Sequence, residues 1–204
     1  MTSYIVTYFP IDGFAWAART ILTISGAEYK NEFPDWPADK TKTPFGRLPV
    51  LTEISPDGSK FVLAEIDAID AYLAEKYGYL PKDIKDRATV MQYYYQIRDL
   101  SESFSNHIVH FKTDKSLEKY VDRIETFIEK HEDILAKSKS GYYFGDSPTL
   151  PDLFLYYIYN AMSHVEDKSL NHFSEEKSPA ISRLVSQVGA IPNINKSFMP
   201  TAQS

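Results

Sequence analysis

Few residues in this sequence are of a type that could do chemistry. The 204-residue chain has no cysteine, which removes a thiol nucleophile, a disulfide framework and any Cys-based zinc site. Its five histidines, His107, His110, His131, His164 and His172, show no metal-ligand pattern with nearby carboxylates. His107 and His110 stand three apart on a predicted helix, but further ligands are missing, so no metal is expected. There is no G-x-G-x-x-G, no Walker sequence and no G-x-S-x-G elbow. What remains is hydroxyls and charges. Tyr8 closes an aromatic, β-branched run, and by type alone it is one packing aromatic among 15 tyrosines. Lys40, Arg47, Glu65 and Asp99 are, by type alone, ordinary surface charges. The Tyr93-Tyr94-Tyr95 run reads as helix packing rather than a stacking platform. Thr149-Leu150-Pro151-Asp152 has the spacing of a capping box, a folding device at the start of a helix.

The elements that must position these residues fall into two halves. With 43% apolar and 14% aromatic residues there is ample material for a core. The net charge of −6 argues against a nucleic-acid binder. Tyr4 to Phe9 reads as a buried strand, Ala15 to Ser25 as a helix stopped by Gly26, and Ala27 to Phe33 as a second, outer strand. Pro34 to Thr43 reads as irregular with about one helical turn. Val50 to Ile54 and Phe61 to Leu63 form a hairpin around Ser55-Pro56-Asp57-Gly58-Ser59, and Glu65 to Tyr77 is a helix stopped by Gly78. This order suits a small mixed sheet with helices on both faces. After residues 78–82 strand signals vanish. Helices are predicted over Asp83 to Lys112, Ser116 to Lys137, Thr149 to His164 and Ser178 to Val188, the last opened by Ser178-Pro179 and closed by Gly189. The helix after Thr149 is apolar nearly all round and should be the central one. The start, Met1-Thr2-Ser3-Tyr4, lacks a signal-peptide pattern, and no apolar run approaches a membrane span, so a cytoplasmic protein is the expectation.

Four pieces in order carry a resemblance. They are Tyr4 to Phe9 with Tyr8 near its end; Pro44-Phe45-Gly46-Arg47-Leu48-Pro49-Val50-Leu51; Glu65 opening a helix that runs Ala68-Ile69-x-x-Tyr72-Leu73; and Gly145…Thr149-x-x-Asp152. Together they resemble the cytosolic glutathione transferases, nearest to the sigma class with its haematopoietic prostaglandin D synthases and S-crystallins. The resemblance spans roughly residues 4–200. It implies an α/β N-terminal thioredoxin-like domain over 1–78 that binds glutathione. It also implies an all-α C-terminal domain over 82–204 that carries much of the second-substrate pocket.

By that resemblance Tyr8 is the catalytic residue. Its hydroxyl would donate to the glutathione sulfur and so favour the thiolate. Pro49 matches a cis-proline, and the Leu48 backbone would pair with the cysteinyl part of glutathione as an added strand. Trp36, Lys40 and Arg47 match positions around the glycine carboxylate. Glu65 matches the residue that meets the γ-glutamyl end. The next residue departs from the pattern: Ile66 stands where the family usually has Ser. The helix N-terminus remains but a hydroxyl donor is lost, a hydrogen bond to a charged group worth roughly 1.5–3 kcal/mol. Phe14 is a second departure, since relatives often carry Arg there to support the thiolate. Asp99 matches an acidic region that in relatives reaches across a homodimer to the glutathione amine. Ile11, Gly13, Phe14, Phe104, Ile108 and Tyr156 are candidates for an apolar pocket, with plain core as the alternative. The function implied is conjugation of glutathione to a small apolar electrophile in detoxification. The alternatives are a glutathione-dependent lipid isomerase and a non-catalytic ligand-binding or crystallin-like relative.

Overall fold

The structure is a computed structural model, and it describes residues 1–196. The last eight positions of the domain expected over 82–204 lie outside the described residues. Two units emerge, one made of Met1–Gly78 with the segment from Ile191, the other of Tyr79–Ala190.

The first unit is a four-stranded sheet in the order β2-β1-β3-β4, built from β1 (Ser3–Thr7), β2 (Glu28–Glu32), β3 (Val50–Ile54) and β4 (Lys60–Ala64). β1 runs parallel to β2 and antiparallel to β3, and β3 pairs antiparallel with β4. The register follows the period-two alternation of the strands. Tyr4 stands opposite Glu53 and Val6 opposite Leu51, and all four are buried on one face. That face is covered by α1 (Trp16–Ile24) and α2 (Ile66–Lys76), which also pack on each other.

The expected placement of helices on both faces is therefore corrected. Between β2 and β3 the chain makes only a 3-10 turn over Ala38–Lys42, because Pro34, Pro37 and Pro44 remove backbone donors that an α-helix needs. Buried Glu53 would be costly alone, and it accepts from Lys76 Nζ at 2.7 Å and from the Tyr72 hydroxyl. The tail also needs correction. Ile194–Lys196 forms a 3-10 turn that packs on α1, so residues 191–196 belong with the first unit and not with the helical one.

The second unit holds α3 (Ile84–Ser105), α4 (Asp114–Ala136), α5 (Leu150–Ser163) and α6 (Pro179–Gly189). α3 ends in a π-helical turn, Asn106–Phe111, closed by Lys112 in the left-handed region. α5 is buried through Leu150, Leu153, Phe154, Leu155, Ile158 and Met162. Its capping box is formed: Asp152 accepts from the Thr149 amide at 2.7 Å, the Thr149 hydroxyl at 2.6 Å and the Tyr143 amide at 2.9 Å. At α6, Ser178 holds the N-cap position, but the end amides of Ala180 and Ile181 are met by the Glu132 carboxylate from α4, at 2.7 and 3.0 Å. Gly189 is the last residue of α6, with Ala190 at the C-cap. An added Cβ there would come within 3.2 Å of the Tyr156 ring, so the glycine makes room for an aromatic.

Candidate functional site

β1 delivers Tyr8 one residue past its end, and the side chain alternation aims it to the helix-covered side, where it is 6% exposed. The chain then turns through Ile11 and Asp12 into a short 3-10 turn, Gly13–Ala15, that leads straight into α1. This return brings the Phe14 amide to the Tyr8 hydroxyl oxygen, 3.2 Å away. The approach depends on Gly13. Its φ is +40°, and a Cβ there would lie 2.8 Å from the Tyr8 hydroxyl. Burial pushes the Tyr8 hydroxyl above its ordinary range, while the Phe14 N–H and the nearby Arg19 charge pull the other way.

Aromatic contacts run outward from this corner. Phe9 stands edge-on to the Tyr8 ring at 5.3 Å, and Trp36 edge-on to Phe9 at 5.9 Å. Lys40 is exposed in the 3-10 turn, and its stem lies across Gly46, so that turn and the loop carrying exposed Arg47 come together. Leu48–Pro49 is a cis peptide, and so is Trp36–Pro37, for which the sequence offers no signal. Glu65 is exposed at the N-cap of α2, with φ +72° and no side-chain cap; Ile66 and Asp67 follow at partial exposure. Of the apolar candidates in this unit, Ile11 is 53% and Phe14 39% exposed.

A cavity of about 520 Å³ lies in the same unit but on the other sheet face, under residues 38–44. Thr7, Val50, Thr52 and Val62 form its floor, and none of the predicted glutathione residues lines it.

The second-unit candidates divide. Phe104 is buried with its ring 5.4 Å from that of Tyr120, a core position. Ile108 sits in the π-helical turn at partial exposure, and Tyr156 lies against Gly189. Asp99 is exposed and already has a partner within its own chain, Arg123 at 3.7 Å. Exposed pairs of this kind contribute little, so the carboxylate gives it up at small cost.

Sequence reasoning missed Arg19 and Asp12. Arg19 is wholly buried in α1, with its guanidinium carbon 5.8 Å from the Tyr8 ring centroid. A lone charge inside Ala-Trp-Ala-Ala-Arg-Thr-Ile-Leu was the available signal, because a buried cation in an apolar helix needs a reason. Among the described residues no cluster of His, Asp and Glu is arranged to hold a metal.

Residues 98–198 match a family model described as glutathione S-transferase, C-terminal domain. Probable glutathione S-transferase 6 of Caenorhabditis elegans is 32% identical over 177 residues, covering 82% of this chain and 81% of the relative. The chain belongs to the glutathione S-transferase family. Among solved structures, a Nu-class glutathione S-transferase from Haemonchus contortus superposes with a TM-score of 0.80 at 28% identity, over 96% of this chain and 95% of the other. A glutathione S-transferase of the hookworm Necator americanus, described as monomeric, gives a TM-score of 0.75 at 29% identity, over 95% of each chain. The thioredoxin-like sheet unit and the all-helical unit are thus those of the glutathione S-transferase fold. In this family member no helix among the described residues is long and apolar enough to cross a membrane.

Proposed function

We propose that this chain is a cytoplasmic, sigma-like glutathione transferase. It binds glutathione on its sheet unit, holds the thiol as a thiolate through Tyr8, and adds it to a small apolar electrophile or lipid. The observation that carries this reading is the Phe14 N–H donated to the Tyr8 oxygen. A phenol that already accepts one hydrogen bond has its own proton left to give. Burial keeps that proton on at working pH, so Tyr8 meets a ligand as a donor and not as a base. A free thiol ionises near pH 8.5, and a donor aimed at sulfur stabilises the anion, which raises the nucleophile fraction at neutral pH. No group on the protein needs to take the thiol proton permanently; solvent removes it.

The rest of the peptide has matching chemistry around it. Lys40 and Arg47 are exposed cations suited to the glycine carboxylate, and Trp36, edge-on to Phe9, suits the same end of the peptide. The Leu48 backbone beside Pro49 offers strand-like pairing to the cysteinyl unit. Glu65 and the N-terminus of α2 suit the γ-glutamyl end, and Asp99 of a partner copy in a homodimer would meet its amine. Exposed Ile11 and Phe14, next to the hydroxyl, give an apolar second substrate its contact.

A ligand carrier without turnover is the second reading, favoured by one observation. The α2 N-terminus offers Ile66 instead of a hydroxyl, between Glu65 and Asp67, which are of the wrong sign for a carboxylate. Calorimetric titration with glutathione, paired with a conjugation assay on an aryl halide, separates the two. Binding with turnover supports the transferase, and binding without turnover supports the carrier. No binding at millimolar glutathione removes the transferase.

A further inference from the structure

Position 14 has Phe, so that side chain brings no cation to the Tyr8 hydroxyl. A cation approaches from beneath instead. The wholly buried Arg19 donates through Nε to Asn31 Oδ1 of β2 at 2.7 Å, through Nη2 to the Phe9 carbonyl at 3.2 Å, and through Nη1 to the Ile11 carbonyl. Phe9 and Ile11 bracket the turn that carries the chain from Tyr8 round to Gly13 and the Phe14 amide. One planar fork therefore holds both sides of the turn, and its centre faces the Tyr8 ring at 5.8 Å. Arginine stays charged at every working pH, and in a buried setting its field reaches neighbouring anions with little screening.

We propose that Arg19 is the positioning residue of this site: it fixes the Phe9–Ile11 turn so that Tyr8 and the Phe14 amide meet, and its charge favours the anion formed where the Tyr8 hydroxyl meets sulfur. This rests on reading Tyr8 as the donor to a glutathione thiol. The step it assists is an ionisation. The S–H bond breaks, the proton goes to solvent, and the electron pair stays on sulfur, where the Tyr8 O–H donates to it.

The charged groups facing Arg19 set the size of the effect. From the turn, Asp12 has a carboxyl oxygen buried without a hydrogen-bond partner; burial pushes this carboxyl up, against the pull of Arg19. From β2 the contact is the uncharged Asn31, and α2, which packs on α1, carries the buried Asp70. Asp12 is thus the adjustable counter-charge, and neutralising it acts in the direction opposite to removing Arg19.

Ultraviolet absorbance of the thiolate, followed against pH in the full chain with glutathione, gives the bound thiol's pKa. Tyr8→Phe raises it if the underlying reading holds. Arg19→Met raises it by about one unit, a roughly tenfold smaller thiolate fraction below that pKa. Its kcat/KM for an aryl halide falls about tenfold near neutral pH and recovers at alkaline pH, and the KM for glutathione changes by less than about twofold. Arg19→Lys keeps most of the thiol shift, and Asp12→Asn lowers the thiol pKa. An unchanged thiol pKa in Arg19→Met, or a rate loss equal at every pH, overturns the proposal and reduces Arg19 to a scaffold residue. Where Arg19→Met does not fold, Asp12→Asn decides, and an unmoved pKa there overturns it equally. A Tyr8→Phe variant with unchanged thiol pKa removes the reading beneath the proposal as well, whereas a Tyr8 effect without an Arg19 effect removes the proposal alone.

Discussion

Arg19 and Asp152 are the same device used in two regions. Each is a wholly buried charge, and each holds a loop by several hydrogen bonds, Arg19 to Phe9, Ile11 and Asn31, Asp152 to Tyr143 and Thr149. Their surroundings differ. Asp152 sits at the start of the most apolar helix of its unit, where it holds the Tyr143 and Thr149 amides and the Thr149 hydroxyl. Arg19 faces a phenol whose hydroxyl approaches a sparsely covered loop. A buried charge is therefore no sign of function by itself. What it organises decides whether its loss is felt in stability or in rate.

The largest effect should come from breaking the helical unit's version. Asp152→Ala leaves three buried donors unmet and should cost roughly 3–4 kcal/mol of stability, read from urea unfolding. Next is acid. Burial holds His131 down to about 4 from an ordinary 6.5, stacked at 3.8 Å on Phe127 and hydrogen-bonded to the Tyr143 hydroxyl. The unfolded chain takes up this proton first. The contribution is whole above pH 6.5 and fades as pH falls towards 4, about 3 kcal/mol in all. Asp152 works in the opposite sense, since burial pushes it up to about 6, so its term is lost as pH rises through that value. The difference between wild type and His131→Phe across pH isolates the histidine, and parallel unfolding curves would contradict this assignment. In the sheet unit the readout changes. Tyr8→Phe should lower conjugation about 100-fold, near 2.7 kcal/mol, with stability altered by less than about 1 kcal/mol. A large loss of stability instead would mean that Tyr8 belongs with Asp152. The smallest effect is Ile66→Ser, which restores a hydroxyl at the α2 N-terminus and should tighten glutathione about tenfold by calorimetry.

The parts of the molecule legible in the sequence are those fixed locally. Ser55 to Ser59 carries its own turn chemistry, and the hairpin forms there, with the Ser55 amide bonded to the Ser59 carbonyl at 2.9 Å. Thr149 and Asp152 form their box because three residues separate them. Features settled by distant partners were not legible. Glu132 caps α6 from 48 residues away, Gly189 answers to Tyr156, and the tail at Ile194 returns to α1. The candidate site shows the same division. Tyr8, Arg47 and Glu65 stand out in the sequence through ordered motifs, but Arg19 shows its contacts only when the turn folds over it and the ring comes to rest against it.

One consequence follows from Gly13 and Phe14. The hydroxyl of Tyr8 is met by the backbone of residue 14, while the side chain of that residue points to solvent at 39% exposure. Two adjacent positions therefore differ: at 13 an added Cβ would run into the Tyr8 hydroxyl, whereas at 14 the contact to that hydroxyl is made by the backbone. If Tyr8 holds the sulfur as proposed, an exposed side chain at position 14 is where contact with a second substrate can change while the backbone contact to the hydroxyl stays in place.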